Sequence, residues 1–187
     1  GSYLNITARL RENQYFREVT NTMSKITVKK RHVIRKSQIA DLMDRLADEI
    51  GPSADLFRSD RIERMETDAP FELYLVDKKP LLMSSDAWAF PTLRGLIEHP
   101  IPERRVTVDA GAVRFVANGA DAMRPGIVSI SPDVREGRPV QVVEERYGKP
   151  LAVGIALFNA ADMERQEKGK SVKSIHCVGD DLWNLEI

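Results

Sequence analysis

One stretch near the middle of the chain, VTVDAGAVRFVANGADAMRPGIVSI from Val106 to Ile130, constrains the fold more than any other. Val106 and Val108 begin a short apolar strand, and Asp109-Ala110-Gly111 leads into a helix. That helix carries Ala112, Phe115 and Val116 on one face and ends at Asn118-Gly119. A second strand, with apolar residues at Ile127, Val128 and Ile130, follows Arg124-Pro125-Gly126. A basic side chain therefore stands in a glycine-bearing loop between two rigid elements. There, backbone N–H groups and a guanidinium can approach a phosphate without steric interference.

The residues after this stretch continue as short strands. Val140–Arg146 and Leu151–Phe158 are separated by Tyr147-Gly148-Lys149-Pro150. Ala160–Lys168 is a short helix with Asn159 as its cap and Gly169 as its stop, and Lys170–Cys177 and Leu182-Trp183 supply the last strands. No βαβ repeat occurs, so the pattern predicts a barrel of short strands with small helices rather than a parallel sheet.

The first half reads differently. Lys25–Arg35 alternates cations with Ile26, Val28, Val33 and Ile34, as a strand would. Ser37 is expected to cap a helix over Gln38–Ile50, in which Ile39, Leu42, Met43, Leu46 and Ile50 recur every three or four residues before Gly51-Pro52. Arg61–Glu66 has strand periodicity, and Phe71–Val76 and Leu81–Met83 form a hairpin across Asp77-Lys78-Lys79-Pro80. Thr92–Glu98 is a short helix with Leu93, Leu96 and Ile97 inward. His99–Arg105, HPIPERR, suits a linker.

The sequence thus divides into residues 1–22, an upstream extension or an added leader before Met23, then a domain over 23–104 and a second over 105–187. With 187 residues and 42% hydrophobic content, two small cores are affordable. No apolar run reaches the length of a membrane span and no charged leader precedes an apolar segment, so a cytoplasmic location without membrane contact is expected. The single cysteine, Cys177, can form neither an internal disulfide nor a multi-cysteine metal site.

Charge is balanced at 28 basic against 28 acidic residues, and the part from Val106 onward carries ten cations and twelve acids. That argues against tight nonspecific binding through clustered cations and calls for local, shape-based recognition. The most concentrated positive charge is elsewhere: six cations and no acid between Lys25 and Lys36.

Four blocks in order carry a resemblance: VDAGAVRFVANGADAMRPGI (108–127), GKPLAVGIA (148–156), KGKSV (168–172) and IHCVGDDLW (175–183). Together they resemble a PUA domain, the RNA-binding module named after pseudouridine synthase and archaeosine transglycosylase. With the separate N-terminal half, the whole chain resembles the archaeal relatives of the malignant T-cell-amplified-sequence family. The resemblance implies an α+β protein: an N-terminal α/β pre-PUA domain followed by a C-terminal PUA pseudo-barrel of mixed short strands with small helices. It also implies a non-enzymatic RNA-binding role in translation, with transfer RNA or ribosomal RNA, the small ribosomal subunit and a translation-factor protein as partners, and no cofactor.

PUA grooves lie against the first helix and the following loop, so the resemblance assigns RNA contact to Arg114, Asn118, Arg124, Gly126, Lys168 and Lys170. Independently of it, three cations beside glycines could hold phosphate and a 2′-hydroxyl, although any one of them could equally be ordinary solvated surface. Lys29, Lys30 and Arg31 are candidates for ribosomal or other RNA contact, weighed against a solvated strand face. Trp88, Phe90 and Trp183 read as core rather than stacking platforms.

Catalytic motifs are missing: GxxxxGK[ST], GxSxG, HExxH and paired CxxC do not occur. His176 and Cys177 are neighbours in a strand and point to opposite faces, so they cannot act directly as base and nucleophile. Asp180-Asp181 reads as a turn or cap rather than a metal pair. The competing functional class is an RNA-modification enzyme, or its accessory subunit, that uses the PUA domain for targeting. A third is a module whose groove no longer binds RNA.

Overall fold

The computed structural model describes Ile26 and residues 28–185, so residues 1–22 lie outside the described residues. Two units divide the chain between Arg104 and Arg105.

The first unit runs β1 (Val28–Val33), α1 (Lys36–Ile50), a 3-10 helix (Gly51–Phe57), β2 (Ile62–Thr67), β3 (Glu72–Val76), β4 (Lys79–Ser84), β5 (Ala89–Pro91) and α2 (Leu93–Glu98). Its five strands form a sequential antiparallel meander. The expected apolar stripe of α1 is buried, since residues three and four apart share one helix face. The helix starts two residues earlier than Ser37 suggested. Arg35 is the cap residue, and the Gln38 side chain accepts a hydrogen bond from the Arg35 N–H at 2.9 Å, the returning half of a capping box.

The β3–β4 hairpin turns on Asp77 and Lys78, with φ of 50° and 70°, the positive values of a two-residue turn that matches strand twist. Pro80, expected in the turn, instead lies in β4 opposite Leu75. Helix α2 starts at Thr92, whose hydroxyl accepts from the Gly95 N–H at 3.1 Å and donates to the Pro80 carbonyl at 2.7 Å. Gly95 is required: a Cβ there would lie 2.2 Å from the Leu81 oxygen. Ile97 was expected to face inward but is 41% exposed, because Leu93 and Leu96 already fill the face against β4.

The expected linker is not free chain. Ile101 and Arg104 are buried, the His99 ring meets Phe57 edge to face, and Arg104 pairs with Glu49 of α1 at 2.9 Å with both side chains almost fully enclosed. Positive φ at Arg104 turns the chain there.

The second unit runs β6 (Arg105–Val108), α3 (Ala110–Ala117), β7 (Ala122–Met123), a 3-10 turn (Arg124–Gly126), β8 (Ile127–Ile130), β9 (Pro139–Glu144), β10 (Pro150–Ala156), α4 (Ala160–Arg165) and β11 (Lys170–Cys177). The expected strand at Leu182-Trp183 is a turn instead. It is held by Asp180, which accepts from the Cys177 and Trp183 N–H groups. Asp109 caps α3 by accepting from the Ala112 N–H at 3.0 Å, and Gly119 (φ 92°) ends it. Phe115, expected on the inner face of α3, is 53% exposed; Val116 and Ala117 face the core.

Strand order is β7-β11-β10-β9-β6-β8, with β6 and β9 parallel and the other pairs antiparallel. The two edge strands, β7 and β8, are joined by only three residues, Arg124-Pro125-Gly126. Met123 and Ile127 can be at most about 15 Å apart across such a link, whereas the edges of a flat six-stranded sheet stand about 24 Å apart. The sheet must therefore curl into a barrel. Gly154 at the bulge in β10 permits the tight passage of β11: a Cβ would meet Val172 Cγ1 at 2.4 Å and the Lys173 oxygen at 2.6 Å. Val106, Val140, Val142, Leu151 and Met163 fill the interior with Cys177.

Arg124 fastens the closure. Its backbone N–H donates to the Gly169 oxygen at 2.8 Å, and its guanidinium donates to the carbonyls of Met163 (2.8 Å), Ile127 (2.9 Å) and Glu164 (3.4 Å). The β9–β10 hairpin is fastened by a carboxylate: Glu144 accepts from the N–H groups of Arg146 (2.7 Å), Tyr147 (2.7 Å) and Lys149 (3.1 Å). Burial alone would raise its carboxyl pKa, but the three amides of Lys149, Tyr147 and Arg146 outweigh that and hold it below the usual range.

Three measurements test these attachments. Arg124→Ala removes three charge-assisted bonds and should cost about 2–3 kcal/mol, roughly a 10 °C fall in melting temperature for a domain of this size, whether or not RNA is present. Glu49→Ala strands the buried Arg104 guanidinium and should cost about 3–5 kcal/mol in urea unfolding; an unchanged midpoint would show the pair to be dispensable. Because the folded carboxyl of Glu144 titrates below its unfolded value, its contribution is complete above about pH 5 and fades as pH falls through the folded pKa. The stability gap between the parent and Glu144→Gln should shrink on acidification, and a gap that widened would contradict the assignment.

Candidate nucleic-acid interface

Barrel closure leaves a groove of about 600 Å³ between the exposed face of α3 and the segment from Ala120 to Gly126. Its walls are mainly apolar: Ala112, Phe115, Val116, Ala120, Met123 and Pro125. Phe115 and Met123 are both about half exposed, an arrangement that leaves apolar surface for a planar ligand. Gly126 makes the groove narrow and smooth, since a Cβ at that position would lie 3.0 Å from the Ala112 Cβ.

Two cations border this surface. Lys170 lines the groove, and its ammonium pairs with Asp121 at 3.0 Å while the lysine side chain stays 61% exposed. Such a pair is worth little in water, so an incoming phosphate can compete for the lysine. Asp121 keeps its place without it, because its other oxygen accepts from the Ser174 N–H at 2.8 Å. Arg114 is exposed on α3, its guanidinium 4.7 Å from the centroid of the Phe115 ring. Cation and ring form one amphipathic surface.

The expected contacts are thus distributed unevenly. Gly126 and Lys170 line the groove, and Arg114 touches the ring that does. Arg124 turns inward to the α4 carbonyls, with its side chain 18% exposed. Asn118 closes α3, and its Oδ1 is enclosed without a hydrogen-bond partner among the described residues. Lys168 is exposed in the turn before β11, and the Gln166 side chain donates to its carbonyl. Sequence reasoning missed Phe115, Met123 and Asp121 as groove residues. Helix periodicity had placed Phe115 with Ala112 and Val116 on the inner face.

In the first unit, Lys29, Lys30 and Arg31 lie on β1, an edge strand exposed along its whole length. Arg31 is engaged by Glu63 in a two-pronged pair at 3.0 and 3.1 Å. The hydrogen bond to Arg31 keeps the Glu63 carboxyl below its ordinary pKa. Trp88 and Phe90 are buried. A polar cleft of about 820 Å³ beside α1 has Lys29 on its wall, but its arginines are occupied: Arg45 donates to the carbonyls of Ser85 and Trp88, and Arg64 pairs with Glu72.

No nucleophile emerges from the histidine and cysteine of β11. His176 Nδ1 lies 2.7 Å from Asp180 Oδ2, both enclosed. Burial, then the Asp180 charge, pushes the Cys177 thiol far above its ordinary pKa, so it stays protonated. Among the described residues, no group of three or more His, Cys, Asp or Glu is placed to hold a metal ion, and no helix is long and apolar enough to cross a membrane.

Residues 104–178 match the family model of the PUA domain. An uncharacterized protein of Methanocaldococcus jannaschii is 38% identical over 165 residues, 85% of this chain and 98% of that protein. Translation machinery-associated protein 20 of Saccharomyces cerevisiae is 27% identical over 183 residues, 95% of this chain and 96% of that protein. Malignant T-cell-amplified sequence 1-B of Xenopus laevis is 35% identical over 101 residues, 52% of this chain and 55% of that protein. Among solved structures, a hypothetical protein of Pyrococcus horikoshii superposes with a TM-score of 0.76 at 35% identity, covering 83% of this chain and 98% of that one. With the matching motifs and the closed barrel, these similarities establish that the chain belongs to the PUA-domain proteins of the malignant T-cell-amplified-sequence type.

Proposed function

We propose that this protein is a non-enzymatic RNA-binding component of the translation apparatus, acting in the cytoplasm, and that the groove between α3 and the 120–126 segment is its RNA site. One observation carries the reading: a half-exposed ring, Phe115, lies between a cation stacked on it and an apolar groove that holds a second cation, Lys170. A base can lie on the ring and apolar wall, while Arg114 and Lys170 meet the adjoining phosphates. The relation to translation machinery-associated protein 20 supports the translational setting.

The acceptor end of a transfer RNA is the proposed ligand, because it offers a structured stem beside unpaired bases. Asn118 and Lys168 are proposed as flanking contacts, and Arg124 supports the site by holding the turn that carries Pro125 and Gly126. For the first unit we propose docking on the small ribosomal subunit or on a protein partner through the exposed cations of β1, Lys29 and Lys30, with Arg31 contributing only if Glu63 releases it.

Fluorescence anisotropy with an in vitro transcribed transfer RNA tests the groove. Phe115→Ala should weaken binding about tenfold, the scale of one stacked base. Lys170→Ala should weaken it less and reduce the salt dependence by about one phosphate contact. Unchanged affinity in both variants would remove the groove assignment, and turnover of the RNA with a methyl or base donor would replace the binding role with an enzymatic one.

A further inference from the structure

We infer that the tip of the β9–β10 hairpin is a second RNA contact, in which Tyr147 stacks on an unpaired base and Arg146 and Lys149 meet the phosphates beside it. The inference rests on the groove reading and extends it to a site outside the RNA contacts that the resemblance assigns.

Tyr147 is 65% exposed, the most exposed large apolar side chain among the described residues. Two cations surround it, the Arg146 guanidinium 5.1 Å and the Lys149 ammonium 5.6 Å from the ring centroid. An exposed aromatic ring bordered by cations offers both of the interactions that hold single-stranded nucleic acid: a face for any base and positive charge for its backbone.

Two further features separate this from an incidental surface tyrosine. The ring is presented by a rigid turn. Glu144 gathers three amides of the turn, Gly148 takes a positive φ of 67°, and its N–H donates back to the Glu144 carbonyl at 3.0 Å. A tyrosine carried on a backbone fixed in this way costs little backbone entropy on binding. Both acids of the hairpin are also engaged by backbone amides: Glu144 by those of the turn itself, and Glu145 by the Ala110 N–H at 3.3 Å. The side chains that flank the exposed ring are therefore the two cations, while the two carboxylates are held by backbone amides.

Glu145 also sets the location. Its N–H donates to the Val108 carbonyl at 3.1 Å, so the hairpin is tied on both sides of Asp109, at the start of α3. Asp109 and Gly111 line the groove. The tip thus adjoins the groove at the N-terminal end of α3, and one strand of RNA can engage both.

The test uses the full chain and two RNA hairpins of identical stem, one with a short single-stranded 3′ tail and one blunt, with affinity read by fluorescence anisotropy. Tyr147→Ala should weaken binding of the tailed RNA about tenfold, leave the blunt RNA within about twofold and leave the melting temperature unchanged. Tyr147→Phe, which keeps the ring, should bind like the parent. Arg146→Ala should lower the salt dependence by about one contact. Parent-like binding of the tailed RNA by Tyr147→Ala, while Phe115→Ala and Lys170→Ala weaken it, overturns the tip and spares the groove. Equal losses on tailed and blunt RNA overturn the unpaired-base assignment. A loss confined to Tyr147→Ala, with the groove variants binding normally, keeps the tip and overturns the groove. Failure of the parent to bind either RNA at low salt, with capture of an acidic peptide in its place, overturns both.

Discussion

The second unit depends on a length constraint. Its sheet begins and ends at strands only three residues apart in sequence, and no flat arrangement of six strands allows that. Curling brings β7 beside β8, places α4 across the join, and gives the Arg124 guanidinium three carbonyls to hold. The glycine at position 154 lets β11 follow the curve where any Cβ would collide. The two edges that remain, β7 and β8, are short, which limits pairing with other chains.

The candidate site is a consequence of that closure. The turn that joins the edges forms one wall of the groove, α3 forms the other, and Gly126 brings them close. A half-domain with more acids than bases cannot attract RNA by net charge. The arrangement compensates locally: carboxylates are committed to backbone amides or to β11, as at Glu144, Glu145 and Asp121, while aromatic rings stand outside beside cations. Recognition of this kind favours unpaired bases and shape over long duplex.

The first unit solves a different problem. An apolar helix face covers part of a five-stranded meander, and the Glu49–Arg104 pair fastens the exit of the chain to the end of that helix. A buried ion pair contributes more to where the segment sits than to net stability, since desolvation offsets much of its attraction. β1 remains an edge strand protected by charge, as its lysines discourage strand addition.

Much of the fold was legible because it follows from local periodicity. The three- and four-residue spacing of Ile39 to Ile50 dictated α1, Asp109 and Gly119 bounded α3, and the four blocks in order marked the barrel and its RNA-binding kin. What the residues alone could not disclose was the destination of each side chain. Arg124 and Lys170 are both basic residues beside glycines, yet one is drawn into carbonyls of α4 and the other stays at the surface. Phe115 shares a helical period with buried Val116 but falls outside the face that β9, β10 and β11 cover. Sequence determined which segments become helices, strands and turns, because those choices depend on neighbours a few positions away. Tertiary structure alone decided which cations and rings remain free for a ligand, because that depends on carbonyls, carboxylates and packing surfaces supplied from distant parts of the chain.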